Sequence, residues 1–212
     1  MTERPILFND SMVRAILAGR KTQTRRPFKP PKWVHPDEID DFVSALNKYG
    51  GSCAKRGPCD GSRAYTGPFG VTGGRLWVRE CFATDIDGCE RGLSYRADHR
   101  DPRGDGPANP MRWTPSIHMP RWASRLTLTV ELVCIERLHE ITEDDAKAEG
   151  VEPIGIGGPY QADCWDDGTY KTSFNFAWGN IYGFEHERGD YGWAANPLVW
   201  VLTFKVAEVG RG

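Results

Sequence analysis

The densest run of reactive side chains in this sequence is ILAGRKTQTRR, residues Ile16 to Arg26. It holds one lysine amine (Lys21), the hydroxyl or amide groups of Thr22, Gln23 and Thr24, and the guanidinium groups of Arg20, Arg25 and Arg26. Such a set admits three readings: a catalytic strand, a grip on nucleic-acid phosphates, or a solvated basic loop. Three other places also carry chemistry. Glu149 sits at the end of a helical pattern, against the negative end of the helix dipole. A carboxyl group there holds its proton more readily, which suits a proton donor. Glu80 falls on the otherwise apolar face of RLWVRECF (75–82), so its carboxylate lies either at a wet strand end or inside a site. The segment WTPSIHMPRWASR (113–125) sets His118, Arg121 and Trp122 between prolines. Aromatic faces and guanidinium planes both stack on flat rings. We read it as the wall of a ring-binding pocket, with Trp77 and Glu80 beside it, rather than as a packed loop.

Several elements must position these groups. A short strand, Pro5 to Phe8, leads to Asn9, Asp10 and Ser11, any of which can cap a helix. Met12, Ala15, Ile16 and Leu17 form that helix's apolar stripe, and Gly19 follows its end. Lys21 to Arg26 is expected to be a strand or extended loop with an exposed polar face, stopped by Pro27. In a regular strand Lys21 and Thr24 point to opposite faces, so a shared site needs a bend between them. Residues near 28–74, 99–116 and 152–171 read as loop insertions, with one weak helix over 37–46. Strands are expected at 75–82, 92–98 and 197–209. The longest alternating run, 125–138, puts Leu126, Leu128, Val130, Leu132 and Cys134 on one face. Thr142 and Asp145 form a capping-box pattern ahead of a helix that reaches Glu149 and Gly150. Phe174, Ala177, Trp178 and Ile181 mark another helix, capped by Ser173. Strands with interspersed helices, lacking regular βαβ alternation, indicate one α+β domain over 1–212 built on a small mixed or antiparallel barrel.

Composition narrows the classes. Apolar residues are 39% and charged residues 26%, which is globular rather than disordered. A formal net charge of −2 argues against a general phosphate binder, though it leaves room for a local basic strip. No apolar run of about 18 residues exists to span a membrane, and the N-terminus lacks a signal-peptide pattern. A cytoplasmic location with reduced cysteines follows as the expectation. Cys53 and Cys59 are spaced C-x5-C, a poor zinc signature. The glycines of GIGGP lack dinucleotide-binding spacing.

The stretch ending in Arg26 resembles the signature of ASCH domains, a branch of the PUA-like superfamily: Gly19, Lys21, Thr24 and Arg26 fill G-x-K-x-x-T-x-R in order. ITEDDAKAEGV (141–151) is similar to the family's (I/L)-T-E-x-x-A-x-x-E helix, with Glu149 as its last acid. The aromatic strand around Trp200 to Phe204 also fits. The nearest motifs belong to small ASCH amidohydrolases that deacylate N4-acetylcytidine, about half this length. RLWVRE and IHMPRWASR resemble a longer, phage- or prophage-borne subgroup. The resemblance implies a PUA-like small mixed β-barrel flanked by short helices. It also implies a metal-free, cofactor-free amidohydrolase acting on a small N4-acylated cytosine nucleoside or base. Lys21, Thr24 and Glu149 would be its catalytic group, and Arg26, Trp77, Glu80, His118, Arg121 and Trp122 its substrate contacts. Cleaving such an amide needs an attacking oxygen, a base, an oxyanion stabiliser and an acid for the leaving amine. Thr24 can supply the hydroxyl. Lys21 serves as the base if neutral, or holds the oxyanion if charged. Glu149 can protonate the amine or activate water. The alternative is a non-catalytic PUA-like module that binds RNA or a modified base, with Arg20, Lys21, Arg25 and Arg26 on phosphates.

Overall fold

A computed structural model of the chain describes residues 3–56, 62–86, 89–99, 112–153, 169–184 and 190–210. In chain order the elements are β1 (Glu3–Leu7), α1 (Asp10–Leu17), β2 (Gln23–Pro27), α2 (Ile39–Lys48), β3 (Ser52–Arg56) and β4 (Ser62–Thr66). There follow β5 (Arg75–Arg79), β6 (Phe82–Ile86), β7 (Cys89–Tyr95), β8 (Leu126–Arg137), α3 (Glu143–Ala148), α4 (Tyr170–Tyr182) and β9 (Leu198–Val209). The class is α+β. Five strands form the main sheet in the order β1-β5-β8-β9-β2, and the pairs β3–β4 and β6–β7 are separate hairpins. Among the described strands only β1 and β5 run parallel; the other pairings are antiparallel.

The expected barrel does not close. β1 and β2 are the two edges of the sheet and share no ladder. Both are five residues long and each contains a proline, Pro5 or Pro27, which cannot donate to a neighbouring strand. A side chain spans the gap instead: Arg26 Nη2 donates to the Leu7 carbonyl at 2.6 Å. Curvature comes from β8 and β9, twelve residues each, whose register shifts twice along their shared ladder. Bulges of this kind bend a strand and increase its twist. The shift between Val130 and Leu132 also overturns the expected alternation: Leu132 is 48% exposed, while Val133 and Ile135 turn inward.

The larger core packs Ile6, Phe8, Leu76, Val78, Leu128, Val130, Trp200 and Phe204 against Val13 and Ile16 of α1 and Phe42 and Leu46 of α2. The 28–74 segment is thus more than a loop: α2 and Tyr65 of β4 help complete this core. A smaller cluster joins Val199 and Val201 to Ile141, Ala146, Phe174 and Trp178. β9 is therefore covered on both faces, which holds α3 and α4 against the sheet. Local signals set the helix starts. Asn9 caps α1 by accepting from Met12 N at 2.9 Å, and Leu17 faces outward rather than inward. α4 begins four residues earlier than its apolar stripe suggests, capped by Thr169 and not Ser173.

Candidate functional site at the sheet edge

Lys21 lies in the turn between α1 and β2, ahead of the strand. Its amide and that of Arg20 both donate to Ala15 O, at 3.0 and 2.9 Å. The strand begins at Gln23, so the conflict between Lys21 and Thr24 in a continuous strand does not arise. The expectation of an exposed polar face is wrong: Lys21, Gln23, Thr24 and Arg25 are all buried. The reason is α3, which lies along this edge, with Thr22 N donating to Ala148 O at 2.8 Å. Its acids neutralise what would otherwise be unpaired buried cations.

Lys21 Nζ donates to Gln23 O at 2.8 Å, to Glu149 O at 2.7 Å and to Glu149 Oε2 at 2.8 Å. That arrangement occupies all three hydrogens of an ammonium group. Burial pulls the Lys21 proton affinity below the ordinary lysine value; the Glu149 carboxylate opposes this, while Arg26 and Arg25 reinforce it. Glu149 is the C-cap of α3, and the chain turns away at Gly150 with φ +80°. A Cβ at Gly150 would sit 2.7 Å from Lys21 Cβ and 2.9 Å from Ala15 Cβ. Only glycine permits both the turn and the close approach. Glu149, expected as a proton donor placed by the helix dipole, is ion-paired with two cations, Lys21 and Arg25.

Arg25 is the second cation. Its Nε and Nη2 reach Glu136 Oε1 at 3.1 and 2.5 Å, and its Nη1 reaches Gln23 Oε1 at 2.6 Å. Asp145 Oδ2 and Glu149 Oε1 each lie 3.4 Å from its terminal nitrogens. Strand alternation sends Gln23 and Arg25 toward α3 and puts Thr24 and Arg26 on the other face of β2. There the Phe8 ring stands 5.7 Å from Lys21 Nζ and 5.3 Å from Arg26 Cζ. Phe8 is thus a wall common to the lysine and the Thr24 face. The Thr24 hydroxyl is buried and, among the described residues, has no hydrogen-bond partner.

The other expected contacts stand elsewhere. Glu80 is buried in a bidentate pair with Arg125, at 2.9 and 3.0 Å, and Asp98 holds the same guanidinium. Arg125 also covers the Tyr95 ring at 4.0 Å. Burial raises the Glu80 proton affinity, and Arg125 opposes it. Trp77 points to the face of β5 opposite Leu76 and Val78, between Arg79 at 5.5 Å and Arg121 at 6.0 Å. Arg121 pairs with Glu3 at 2.7 Å, His118 is exposed, and Trp122 is 70% exposed. Trp77 and Arg121 lie on the outer face of β5, and among the described residues Trp77, Glu80, His118, Arg121 and Trp122 make no hydrogen bond, ion pair or ring contact with Lys21, Thr24 or Glu149. Cys53 is a core residue; Cys59 and the GIGGP glycines lie outside the described residues. Among the described residues no helix is long and apolar enough to cross a membrane, and no three His, Cys, Asp or Glu side chains are placed to hold a metal ion.

Sequence reasoning did not place Phe8, Glu136 or Asp145 in this site, and gave Arg25 only a phosphate-binding role. Two signals pointed to them: the shared parity of Gln23 and Arg25 on β2, and the four-residue spacing of Asp145 and Glu149 on one helix face. No protein-family model matches the chain, and no curated protein or solved structure matches it.

Proposed function

We propose that the chain is an amidohydrolase of ASCH type on a PUA-like scaffold, removing acyl groups from the exocyclic amine of N4-acylated cytosine nucleosides or bases. The observation that carries this reading is the buried Lys21–Glu149 pair, 2.8 Å apart, next to a strand face whose Thr24 hydroxyl is unpartnered. Buried hydroxyls are nearly always satisfied, so an orphan at such a place is suited to a substrate group. A lysine removed from water releases its proton more easily, which suits a base.

In the proposed reaction the Thr24 hydroxyl, which makes no direct hydrogen bond to Lys21 or Glu149, gives its proton to that pair through one water as its oxygen bonds to the acyl carbon. Arg26, on the same face of β2, supplies positive charge for the oxygen that becomes negative. Collapse of this intermediate breaks the C–N bond, and the pair returns a proton to the departing amine. Water then cleaves the threonine ester, releasing the carboxylic acid and restoring the hydroxyl. Direct attack by water, activated by the same pair, gives the same products without the ester. An acylated Thr24 peptide in a quenched reaction distinguishes the two routes.

The phosphate-binding alternative needs free cations. Lys21 and Arg25 are buried and ion-paired, and Arg20 bonds Glu152 at 2.6 Å. The hydrolase reading is therefore preferred. The test is turnover of N4-acetylcytidine and of homologues with larger acyl groups, in the presence of a chelator, followed by the ultraviolet shift to cytidine. The wild type is expected to turn over these substrates, and on the threonine-ester route Thr24→Val is expected to lose about 100-fold or more of kcat while melting normally. Absence of turnover across the acyl series overturns the proposal.

A further inference from the structure

We propose that Arg25 is a positioning residue for the Lys21–Glu149 pair, clamping α3 to the sheet so that Glu149 meets Lys21 in one fixed geometry. The kinetic consequence rests on the amidohydrolase reading; the clamp itself does not. Three observations carry it. First, the Arg25 side chain is 1% exposed, yet three carboxylates and the Gln23 amide oxygen surround it. A planar guanidinium can serve several such partners at once, whereas a lysine ammonium is a single point charge on a flexible stem. Second, these partners come from separate elements, so Arg25 adds a polar clamp to the apolar packing that holds α3 against β9. Glu136 belongs to β8, while Asp145 and Glu149 stand on one face of α3. α3 has only six residues, too few to be stable alone, so tertiary contacts decide its position. Asp145 Oδ2 also accepts from Thr142 N at 3.1 Å and from Thr142 Oγ1 at 2.7 Å, so the helix's capping box and the Arg25 clamp share one atom.

Third, the two oxygens of Glu149 are divided. Oε1 lies 3.4 Å from Arg25 Nη1, and Oε2 accepts from Lys21 Nζ at 2.8 Å. Turning this carboxylate out of its plane would lengthen one contact or the other, so Arg25 helps hold the orientation in which Lys21 meets it. The groups facing Lys21 Nζ are Glu149 from α3, Arg25 and Arg26 from β2, and the ring of Phe8. Arg25 thus governs Lys21 both directly, as a nearby cation, and through Glu149.

The test uses three variants of the full chain: Arg25→Lys, Arg25→Gln and Glu136→Gln. Two properties are read, turnover and the titration of Lys21 followed by the ¹³C resonance of its Cε. Arg25→Lys keeps the charge and loses the fork. It is expected to fold, to lower kcat by on the order of 100-fold, as an ångström-scale misplacement does, and to leave KM nearly unchanged. Arg25→Gln removes a cation beside Lys21 and frees Glu149 to turn fully toward it. Both effects move the Lys21 midpoint, and the rising limb of the kcat profile, to higher pH. Glu136→Gln loosens the clamp from its half-exposed side and falls between wild type and Arg25→Lys. If Arg25→Gln does not fold, the other two variants decide. A purely structural arginine would lower melting in the charge-keeping Arg25→Lys without moving the Lys21 midpoint. Folded Arg25→Lys and Glu136→Gln with wild-type kcat and a wild-type Lys21 midpoint would overturn the proposal. If the wild type turns over no acylcytosine, the Lys21 titration still tests the clamp, so the two ideas fail separately.

Discussion

Replacing Glu149 by alanine gives a sharp test of the site's energetics, whatever its chemistry. The variant leaves Lys21 Nζ with two backbone carbonyls and no counter-charge. The two side chains are 0% and 4% exposed, so water cannot substitute for the missing carboxylate. Removing one partner of a buried ion pair costs about 3–5 kcal/mol. At about 2–4 °C per kcal/mol for a chain of this size, melting near neutral pH should fall by about 6–20 °C. The pH dependence has a definite sign. Burial already holds Lys21 below 10.5, and losing Glu149, the chief influence raising it, drives it lower. Across the window between the folded value and 10.5 the unfolded chain binds more protons, so stability rises with pH. The deficit of Glu149→Ala relative to wild type is therefore largest near neutrality and shrinks as the solution becomes alkaline. The double variant Lys21→Met/Glu149→Gln removes both charges. It should recover most of the loss and show little of this pH trend. Thermal melts by circular dichroism, at neutral pH and at about pH 9.5, measure all three proteins. Melting of Glu149→Ala within about 2 °C of wild type, or a deficit that grows with pH, would refute the reasoning.

Three further outcomes follow from single contacts. Thr24→Val removes a hydroxyl with no partner among the described residues, so urea unfolding should show stability unchanged or raised by up to about 1 kcal/mol, and a loss above that would reveal a partner for the hydroxyl. Gly150→Ala combines a left-handed backbone with a clash against Lys21 and Ala15; it should cost about 2–5 kcal/mol, and a neutral result in the same assay would contradict the close approach. Burial, aided by Glu136, pushes the Cys134 thiol up to about 11. Peptide mass spectrometry after brief iodoacetamide treatment should find Cys134 almost unlabelled at pH 8 and labelled only toward strongly alkaline pH. Rapid labelling at pH 8 would show a lowered barrier to its thiolate.

What could be read from the sequence was local. Asn9 ahead of α1 and the Thr142–Asp145 box ahead of α3 act within one helical turn, so their spacing suffices. Glu149 was legible because it closes the helix that Thr142 begins. Arg25 was not, since its partners come from β8 and α3, and a strand of polar residues looks solvated until its cover is known. Leu132 was misassigned because the bulge beside it is set by pairing with β9 and by nothing in its own neighbourhood. Barrel closure failed for the same kind of reason. Whether β1 meets β2 depends on curvature accumulated across three other strands. Trp77, Arg121 and Trp122 have the composition of a stacking wall, but composition does not say which face of β5 they take.

The strand order has a consequence for how the molecule assembles. β1 and β2 are joined by one short helix, yet they end at opposite edges of the sheet. β2 finds its ladder only in β9, with Gln23 opposite Thr203. During synthesis, β2 therefore waits, unpaired, until nearly all the described chain has been made. Long-range pairings of this sort are slow to form and are among the last to cooperate. Until then Lys21 is an ordinary solvated amine, open to acylating reagents and proteases, and Glu149 an ordinary surface acid. Their conversion into a dry, paired couple reports arrival at the native state, so the reactivity of this one lysine is a built-in clock for the completion of folding.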